Sequence, residues 1–393
     1  MKLTNIADYV IEKISSEDIS LENYITTDNL LPDKQGRTIA SNLPPQKCTL
    51  TKYAKGDVLI ANIRPYLKKI WMADGEGGAS NDVLVFRAKD GYDNSFVYAV
   101  LLQDSFYSWV MKAPRGSQMP RGDKNHIMNF SVSNVQGKEN IGKLLSNLDR
   151  KIALNRQINT NLEALARQLY DYWFVQFDFP DADGKPYKSS GGKMVYNEKL
   201  KRNIPEGWEV KNIFDAIDVL YGFPFNADLF TTETTTIPVI RIRDILEGNI
   251  STYTTECVNE KYRLHEKDVV IGMDGNFHMG IWHNNDAYLN QRCVRLRANE
   301  KTEISAIQIL YTTQPYIKYR EKTIIGSTVG HLSDKDMKAL YILVPFGNKY
   351  FAPRKTMDSI TQQIIENKKQ ISSLTKQRDE LLPLLMNGQV TIE

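Results

Sequence analysis

The chain has 393 residues, of which 41% are hydrophobic and 25% charged, and its formal net charge is +3. This composition is typical of a globular protein of two or three domains and excludes a histone-like or basic-tail protein. Cys48, Cys257 and Cys293 are too scattered to indicate a disulfide framework or a zinc site. Because we find no signal-like segment and no apolar run of about 18 residues, we expect a reduced, cytoplasmic protein.

Two stretches of the chain, residues 1–137 and 204–355, resemble each other. Six short blocks match at offsets between 207 and 213, which chance does not readily give. The matches are Asn5–Asp8 with Asn212–Asp215, Asp57–Ile60 with Asp268–Ile271, Ile70-Trp71 with Ile281-Trp282, Phe86–Ala88 with Leu296–Ala298, Gly116-Ser117 with Gly326-Ser327, and Asp123-Lys124 with Asp334-Lys335.

Each copy has a mixed α/β pattern. Apolar runs rich in β-branched residues predict strands at Asp57–Ala61, Val83–Arg87, Asp268–Ile271 and Cys293–Arg297. Longer segments with aromatic inner faces predict helices at Ser95–Val110 and Glu303–Tyr319. Phe130–Val135 and Leu340–Val344 are predicted to be closing strands.

Each copy is followed by a long heptad pattern. Between Lys138 and Gln176, and again from Met357 onward, apolar positions recur in steps of four and three residues, which is typical of a helix packed along another helix. Asn155 and Asn367 occupy equivalent positions and would fix the register of the pair. The alternative is two unrelated amphipathic helices. The predicted helix-pair seam comprises Leu148, Ile152, Asn155, Leu162, Leu169, Ile360, Ile364, Asn367, Ile371, Leu374 and Leu381.

The predicted architecture is α/β (α+β), with two similar globular domains separated by a long antiparallel two-helix coiled coil. The predicted segments are domain 1 at 1–137, a long helix at 138–178, a linker at 179–203, domain 2 at 204–355 and a second long helix at 356–393. Such a chain has pseudo-two-fold symmetry, which suits a duplex read at two half-sites. Because the copies have diverged, the two half-sites need not match.

Several segments make the chain similar to the specificity subunits of type I restriction–modification systems. They are Asn147–Asn155, Leu169–Phe174, Phe177–Pro180, Gly184–Gly192, Pro205–Glu209 and Arg378–Gly388, and the likeness covers the whole chain. It implies a non-catalytic subunit in which two target-recognition domains each read half of a split DNA site. It also implies two modification (methyltransferase) subunits bound to the helices, S-adenosylmethionine on those partners rather than here, and two restriction subunits in the full complex. The first copy lacks a partner for Tyr221–Phe225, so the domains could contact DNA through differently built loops.

Equivalent polar loops in the two copies supply the candidates for DNA contact. Arg and Lys read guanine, Asn and Gln read adenine, and phosphate contacts only position the protein. The alternative for any one of them is a solvated loop residue. The candidates are Arg64, Lys68, Lys69, Ser80, Asn81, Arg115, Gln118 and Arg121 in the first copy, and Arg241, Arg243, Asn276, His278, Asn290, Gln291, Arg292, Ser327, Thr328 and His331 in the second. Trp71 and Trp282 are predicted to be core residues.

Catalytic motifs are missing from the sequence. Asn42–Gln46 departs from an adenine-methylase motif, Glu209-Val210-Lys211 is a poor nuclease half-site, and His278 with His283 lacks a third metal ligand. No phosphate-binding Gly-rich loop is present. We therefore expect no catalytic, cofactor or metal site in this chain.

The alternative function is a stand-alone DNA-binding regulator or anti-restriction decoy of the same shape. A scaffold should leave apolar side chains on the outer helix face for its partners, whereas a regulator should show polar residues there. The residues predicted to be unburied are Leu144, Leu154, Leu165, Tyr172, Phe174 and Leu382.

Overall fold

The computed structural model describes residues 1–115, 119–246, 248, 250–284, 286–299, 304–323, 330–345 and 351–392, with only the backbone described at 114–115 and 351–353. The chain divides into two compact units. Unit 1 comprises Met1–Asn155 and Ile371–Glu393, and unit 2 comprises Arg156–Gln370. Within the described ranges, no helix is both long and apolar enough to cross a bilayer.

The predicted long helices are present. The helices are α1 (Asn94–Leu102), α2 (Asp104–Val110), α3 (Lys124–Met128), α4 (Lys138–Tyr170), α5 (Ile213–Ala216), α6 (Ala306–Thr323), α7 (Asp334–Lys338) and α8 (Phe351–Met386). A π-helical turn at Asp171–Gln176 continues α4, so the helix predicted from Lys138 to Gln176 is confirmed. The chain passes from one unit to the other within α4 and again within α8.

Short strands build both units. In unit 1 they are β1 (Ala7–Tyr9), β2 (Lys13–Ser15), β3 (Tyr24–Ile25), β4 (Thr49–Tyr53), β5 (Val58–Ala61), β6 (Ile70–Met72), β7 (Gly77–Ala79), β8 (Val83–Ala88), β9 (Pro114–Arg115) and β10 (Arg121–Gly122). In unit 2 they are β11 (Met194–Asn197), β12 (Arg202–Pro205), β13 (Glu209–Asn212), β14 (Asp218–Tyr221), β15 (Phe230–Thr231), β16 (Ile237–Ile240), β17 (Tyr253–Thr254), β18 (Val269–Gly272), β19 (Met279–Ile281), β20 (Tyr288–Leu289), β21 (Cys293–Arg297) and β22 (Tyr341–Val344).

Each unit has an antiparallel sheet buried on both faces. The strand order is β1-β8-β5-β6 in unit 1 and β14-β21-β18-β19 in unit 2. Side chains alternate between the faces of a strand. Val58 therefore packs with the helices of unit 1, while its neighbour Leu59 packs toward a second sheet. Val269 and Val270 divide in the same way in unit 2. Both faces are covered, which explains why these strands are continuously apolar in sequence.

The second sheets share one feature and differ in another. A parallel pair occurs in both, β3 with β7 in unit 1 and β16 with β20 in unit 2. The remaining strands differ, since unit 1 has the order β2-β4-β7-β3 and unit 2 has β15-β17-β16-β20. In unit 2, Phe223 also bridges to Asn290. This agrees with the sequence observation that the segment around Phe223 has no counterpart in the first copy.

Strand registers confirm the internal repeat and correct three of its block matches. Val58 lies opposite both Phe86 and Met72, and the corresponding Val269 lies opposite both Leu296 and Ile281. Trp71 therefore corresponds to Gly280, so the match of Ile70-Trp71 to Ile281-Trp282 was two residues out of register. Trp282 is buried and Trp71 half-buried, with the Arg37 guanidinium 4.6 Å from its ring centroid.

Two other block matches were slightly displaced. The Leu3 amide donates to the Phe130 carbonyl, and the Ile213 amide donates to that of Leu340, which sets a shift of 210 residues. Asn5–Asp8 was therefore matched three residues out of register. The caps of α3 and α7 are Asp123 and Ser333, again 210 apart, so the match of Asp123 to Asp334 was off by one. The Gly326-Ser327 match lies outside the described residues.

A buried Asp–Arg pair is repeated in both units. Asp57 accepts from Arg87 at 2.8 and 2.7 Å, and Asp268 accepts from Arg297 at 2.7 and 2.8 Å. Both carboxylates are almost fully buried. Two charge-assisted hydrogen bonds from one guanidinium offset the free-energy cost of removing the carboxylate from water. The pair fixes the start of the central strand in each copy.

Some predicted elements were wrong. Phe130–Val135 is not a strand, because backbone pairing there is limited to Lys2 with Ser131 and one flanking bond on each side. The helix predicted at Ser95–Val110 is interrupted at Gln103, whose backbone is extended and begins α2. Segment 179–203, predicted to be a linker, contains the β11–β12 hairpin. It is anchored because Phe179 stacks on Trp208 at a centroid distance of 5.2 Å.

The two long helices pack together within each unit. In unit 1, Leu145 of α4 shares a core with Leu385 of α8. In unit 2, the Asn367 amide donates to the Asn159 side-chain oxygen at 2.8 Å, and both side chains are buried. Of the predicted seam, Ile152, Asn155, Ile360, Ile364 and Asn367 are buried, and Leu148, Leu162, Leu169, Ile371, Leu374 and Leu381 are half-buried. Regular coiled-coil packing over the full length stays a prediction.

Candidate nucleic-acid interface

Three loop segments meet at one edge of the central sheet in unit 1. They are residues 62–64 after β5, residues 80–82 before β8, and residues 119–122 around β10. The Asn62 amide donates to the Asp82 carbonyl at 2.8 Å, the Arg64 amide to the Pro120 carbonyl at 2.9 Å, and the Gly122 amide to the Asn62 carbonyl at 3.3 Å. These backbone bonds bring Arg64, Ser80, Asn81 and Arg121, which lie far apart in sequence, into one cluster.

Unit 2 repeats this backbone arrangement bond for bond. The Met273 amide donates to the Arg292 carbonyl at 2.9 Å, the Gly275 amide to the Gly330 carbonyl at 2.9 Å, and the Leu332 amide to the Met273 carbonyl at 2.8 Å. Each donor and acceptor lies 210 or 211 residues beyond its counterpart in unit 1. The cluster collects Asn276, Asn290, Gln291, Arg292 and His331. We call these two clusters the unit 1 and unit 2 loop clusters.

Side chains of the unit 1 loop cluster are turned to solvent. Arg64, Asn81 and Arg121 are exposed, and Ser80 is half-buried. Arg64 adopts a left-handed backbone with φ of 51° immediately before a 3₁₀ turn, a conformation that is uncommon for residues other than Gly. The neighbouring Arg121 guanidinium lies 3.1 Å from the Asp82 carboxylate.

The two lysines predicted beside Arg64 already have partners inside unit 1. The Lys68 ammonium lies 3.0 Å from Asp104, which it shares with Lys34. The Lys69 ammonium donates to the Thr27 carbonyl at 2.5 Å, and burial lowers the pKa of Lys69. Both therefore hold the loop in shape, and their contact with DNA stays a prediction.

The unit 2 loop cluster is organised by one carboxylate. Asp274, which is 20% exposed, lies 2.9 Å from the Arg292 guanidinium and 2.5 Å from Nδ1 of His331. Asn290 accepts a hydrogen bond from the Arg292 amide at 3.0 Å, and Gln291 is exposed. Asn290, Gln291, Arg292 and His331 therefore lie on adjacent loops of one small surface.

Three other candidates in unit 2 lie on a neighbouring segment or bind the backbone. The Arg241 guanidinium lies 5.0 Å from the ring centroid of Phe230, and Arg243 donates to Ser251 at 2.9 Å. His278 contacts the Ile242 carbonyl at 3.3 Å through Nδ1. Gln118, Ser327 and Thr328 lie outside the described residues, and so does the side chain of Arg115.

Sequence reasoning missed the acidic members of these clusters. Asp82 and Asp274 were not among the candidates, because their roles depend on arginine and histidine side chains that reach them from other loops. Tyr66, an exposed aromatic residue beside Arg64, was also missed. The sequence did contain a signal, because the nearly constant offset makes Ile63 equivalent to Asp274. The structure bears this out, since Ile63 bridges to Arg121 and Asp274 bridges to His331.

No metal or nucleophile site occurs in the part of the chain that the structure describes. No group of three His, Cys, Asp or Glu side chains is placed to hold a metal ion. Burial lowers the pKa of His283 to about 4 and raises that of Cys293 to about 12. At neutral pH these two side chains are uncharged packing groups rather than reactive ones.

Comparisons with known proteins extend the sequence resemblance. The model of the type I restriction modification DNA specificity domain matches residues 205–376. The MjaIX specificity subunit of Methanocaldococcus jannaschii is 23% identical over 88% of this chain and 81% of its own length. The EcoBI specificity subunit of Escherichia coli is 29% identical over 49% of this chain and 41% of its own.

Residues 205–376 match the type I DNA specificity domain, and the chain over most of its length is similar to type I restriction–modification specificity subunits. A solved type I S subunit from M. genitalium shares the fold, with a TM-score of 0.56 at 17% identity over 98% of this chain and 95% of that one. The predicted fold class, two sheet-rich domains joined by a long helix, is confirmed.

The surface of the long helices corrects part of the prediction about unburied apolar residues. Leu154 and Leu165 are about half exposed, at 48% and 50%. Phe174 and Leu382, however, are buried. Phe174 stacks in an aromatic cluster with Tyr170, and Leu382 completes the core of unit 1. Leu144 and Tyr172 are half-buried.

Proposed function

We propose that this specificity subunit reads a bipartite duplex target, with the unit 1 loop cluster on one half-site and the unit 2 loop cluster on the other. Its similarity to type I specificity subunits supports the role of a DNA sequence-recognition subunit that is not itself an enzyme. Methylation of adenine would be carried out by bound modification subunits, which would also carry S-adenosylmethionine.

One observation carries the proposal. The two clusters are held by the same three backbone hydrogen bonds at a shift of 210 or 211 residues, and each presents arginine and amide side chains to solvent. Arginine and amide side chains are the residues that distinguish guanine and adenine in the major groove. A duplicated scaffold with base-reading chemistry in both copies is what a two-part target requires.

The clusters are alike in backbone but not in side chains. Arg121 in unit 1 corresponds to His331 in unit 2, and Asp82 corresponds to Arg292. An equivalent backbone with exchanged donors and acceptors presents a different pattern to base edges. The proposed target is therefore asymmetric, with two half-sites of different sequence.

Modification subunits would bind α4. In unit 2, Ile158 and Leu165 are exposed and lie seven residues apart, on one face of that helix, and Leu154 is exposed in unit 1. Apolar side chains on an otherwise charged helix mark a surface for a protein partner. In the full complex, two restriction subunits would join the two modification subunits.

A domain exchange tests this function. Residues 1–137 are replaced by the corresponding segment of a specificity subunit with another target, and the methylated sequence is mapped for the chimera with its modification subunits. We expect one half-site to change and the other to persist. A change in both half-sites would refute the assignment of one unit to each half.

The partner requirement separates this function from that of a stand-alone regulator or decoy. We expect the isolated chain to be poorly soluble or to bind DNA weakly, and to bind tightly once the modification subunit is added. Undiminished specific binding by the isolated chain would support the regulator instead.

A further inference from the structure

We infer that Asp274 and Asp82 determine specificity by positioning the cations that read bases, Arg292 in unit 2 and Arg121 in unit 1. The inference rests on the proposed function and deepens it, because it assigns these two arginines to base edges rather than to phosphates. Each carboxylate lies in a loop cluster, close to its arginine, and neither belongs to the structural Asp–Arg pairs of the central sheets.

The ion pair in unit 2 leaves some N–H donors of the Arg292 guanidinium free to bind a base. Asp274 approaches Nη1 of Arg292 at 2.9 Å, while the arginine side chain remains 60% exposed. A guanidinium has five N–H donors in a rigid fork, so one bonded to a carboxylate keeps others for the O6 and N7 atoms of guanine. The carboxylate reduces the rotational freedom of the arginine before DNA arrives, which lowers the entropy cost of binding.

Charge separates base reading from phosphate binding. A carboxylate next to a phosphate raises the energy by like-charge repulsion, whereas base edges in the major groove offer both donors and acceptors. The amino groups of cytosine and adenine could donate to Asp274 itself. A cation paired with a carboxylate is therefore better suited to a base edge than to the backbone.

His331 extends the arrangement. The Asp274 carboxylate can only accept, so the hydrogen of His331 lies on Nδ1, which is 2.5 Å from that carboxylate. Nε2 is then the ring nitrogen left for DNA. Unit 2 thus presents a guanidinium and an imidazole ring held side by side on one carboxylate.

Unit 1 has an ion pair in its cluster too, but between other positions. Arg121 occupies the position of His331, and Asp82 occupies that of Arg292, with 3.1 Å between Arg121 Nη2 and the carboxylate. Arg121 is 53% exposed and Asp82 44%. The unit 1 pair joins the loop before β8 to the loop around β10, whereas the unit 2 pair joins the loop after β18 to the loop before β21. In both units one exposed arginine is held on a carboxylate of a neighbouring loop.

Arg64 provides the contrast. Its side chain is exposed in the unit 1 loop cluster and forms no ion pair with the residues the structure describes. An arginine without a carboxylate neighbour is suited to phosphate. We therefore expect Arg64 to contribute to affinity and salt dependence, and Arg292 to contribute to base discrimination.

The experiment uses the complex of this subunit with its modification subunits. The target is first mapped by methylation of the wild type. Affinities are then measured at several salt concentrations for duplexes carrying every single base substitution in both half-sites. The variants are Asp274→Asn, Arg292→Lys and, as the matched control, Arg64→Ala. Thermal unfolding checks that each variant complex is folded. If the D274N complex is not folded, the R292K complex still tests whether Arg292 discriminates bases.

We expect D274N and R292K to lose discrimination at the same base pair of one half-site, by about tenfold within the range of roughly 5- to 150-fold set by a bidentate contact. The salt slope should stay unchanged for both. R64A should instead weaken binding to all duplexes alike and lower the salt slope by about one.

Two results would overturn the inference. One is a uniform loss over all duplexes with R292K or D274N, which would make Arg292 a phosphate contact. The other is unaltered discrimination in D274N, which would deny Asp274 a positioning role. Neither touches the proposed function, which fails only if the mapped wild-type target is not bipartite or if the domain exchange alters both halves.

Discussion

Removing Arg378 from the core of unit 1 should destabilise that unit in a pH-dependent way. The Arg378 side chain is 2% exposed and donates to Asp149 at 2.6 Å and to the Lys34 carbonyl at 3.2 Å. The other Asp149 oxygen accepts from the Tyr98 hydroxyl at 2.7 Å. Burial raises the pKa of the Asp149 carboxyl above its ordinary value of 3.8, although the Arg378 guanidinium opposes that rise.

The substitution Arg378→Met leaves this carboxylate buried without its cation. Breaking a buried ion pair by removing one partner typically costs about 3–5 kcal/mol at neutral pH. Loss of the guanidinium should also raise the pKa of Asp149 further. Above the unfolded-state pKa, the folded variant then binds more protons than the unfolded chain, so its stability falls as pH rises. We expect a smaller loss near pH 4 than near pH 8.

The double variant Arg378→Met/Asp149→Asn is the matched control, since it has no carboxylate to ionise at this site. We expect it to recover part of the stability and to lose the added pH dependence. Urea unfolding followed by hydrogen exchange on peptides of unit 1 measures the effect, with peptides of unit 2 as the internal reference. An equal loss at acidic and alkaline pH, or a double variant as unstable as the single one, would refute this reasoning.

Three further outcomes are expected. Asn367→Leu should destabilise unit 2 by about 1–3 kcal/mol, because the buried side-chain oxygen of Asn159 loses its hydrogen-bond donor. Hydrogen exchange of α4 measures this loss of stability. A second substitution at Asn159 should restore part of it. Asp57→Asn should destabilise unit 1 by about 1.5–3 kcal/mol in urea, because the buried side chain loses its charge-assisted hydrogen bonds from Arg87, which keeps Glu12 as its ion-pair partner. A change below about 1 kcal/mol would contradict the structural role of the Asp57–Arg87 pair. Leu154→Ser with Leu165→Ser should weaken binding of the modification subunit by roughly 10- to 150-fold, because a partner can bury about half of each side chain and a fully buried leucine contributes about 1.5–3 kcal/mol. Thermal unfolding should stay unchanged. Equal titration curves for variant and wild type would exclude these residues from the partner surface.

The sequence predicted the repeat and the long helices because both rest on periodic patterns. Heptad spacing continues over many turns, so α4 and α8 were found nearly complete. The strand at Cys293–Arg297 was predicted to the residue, and its apolar side chains at Cys293, Val294 and Leu296 are all buried. Patterns repeated along the chain survive errors at single positions.

Register and tertiary contacts were less accessible to sequence reasoning. Trp71 and Trp282 appeared equivalent because each follows an isoleucine, yet the two copies differ in length between β5 and β6, which moves the partner of Trp71 to Gly280. The segment Phe130–Val135 buries its three apolar side chains but has too little neighbouring backbone to pair with. A single sequence does not record such insertions or the position of pairing partners.

The candidate DNA-contact residues show the same contrast between positions that repeat in sequence and contacts that depend on tertiary structure. Loop residues such as Arg121 and Arg292 were found because their positions repeat, and the structure brings each into a cluster. Asp274 was missed because its role depends on two residues that reach it from other loops. Phe174 and Leu382 were expected to be unburied because helix periodicity alone does not reveal which globular core covers the ends of each helix.

Methylation mapping of DNA modified by the wild-type complex tests the central claim most directly. If the two units each read half of the target, the modified sequence consists of two different short blocks separated by unspecified bases, with a methylated adenine in each block. A continuous motif, or two identical blocks, would contradict the account of two diverged recognition units on one chain.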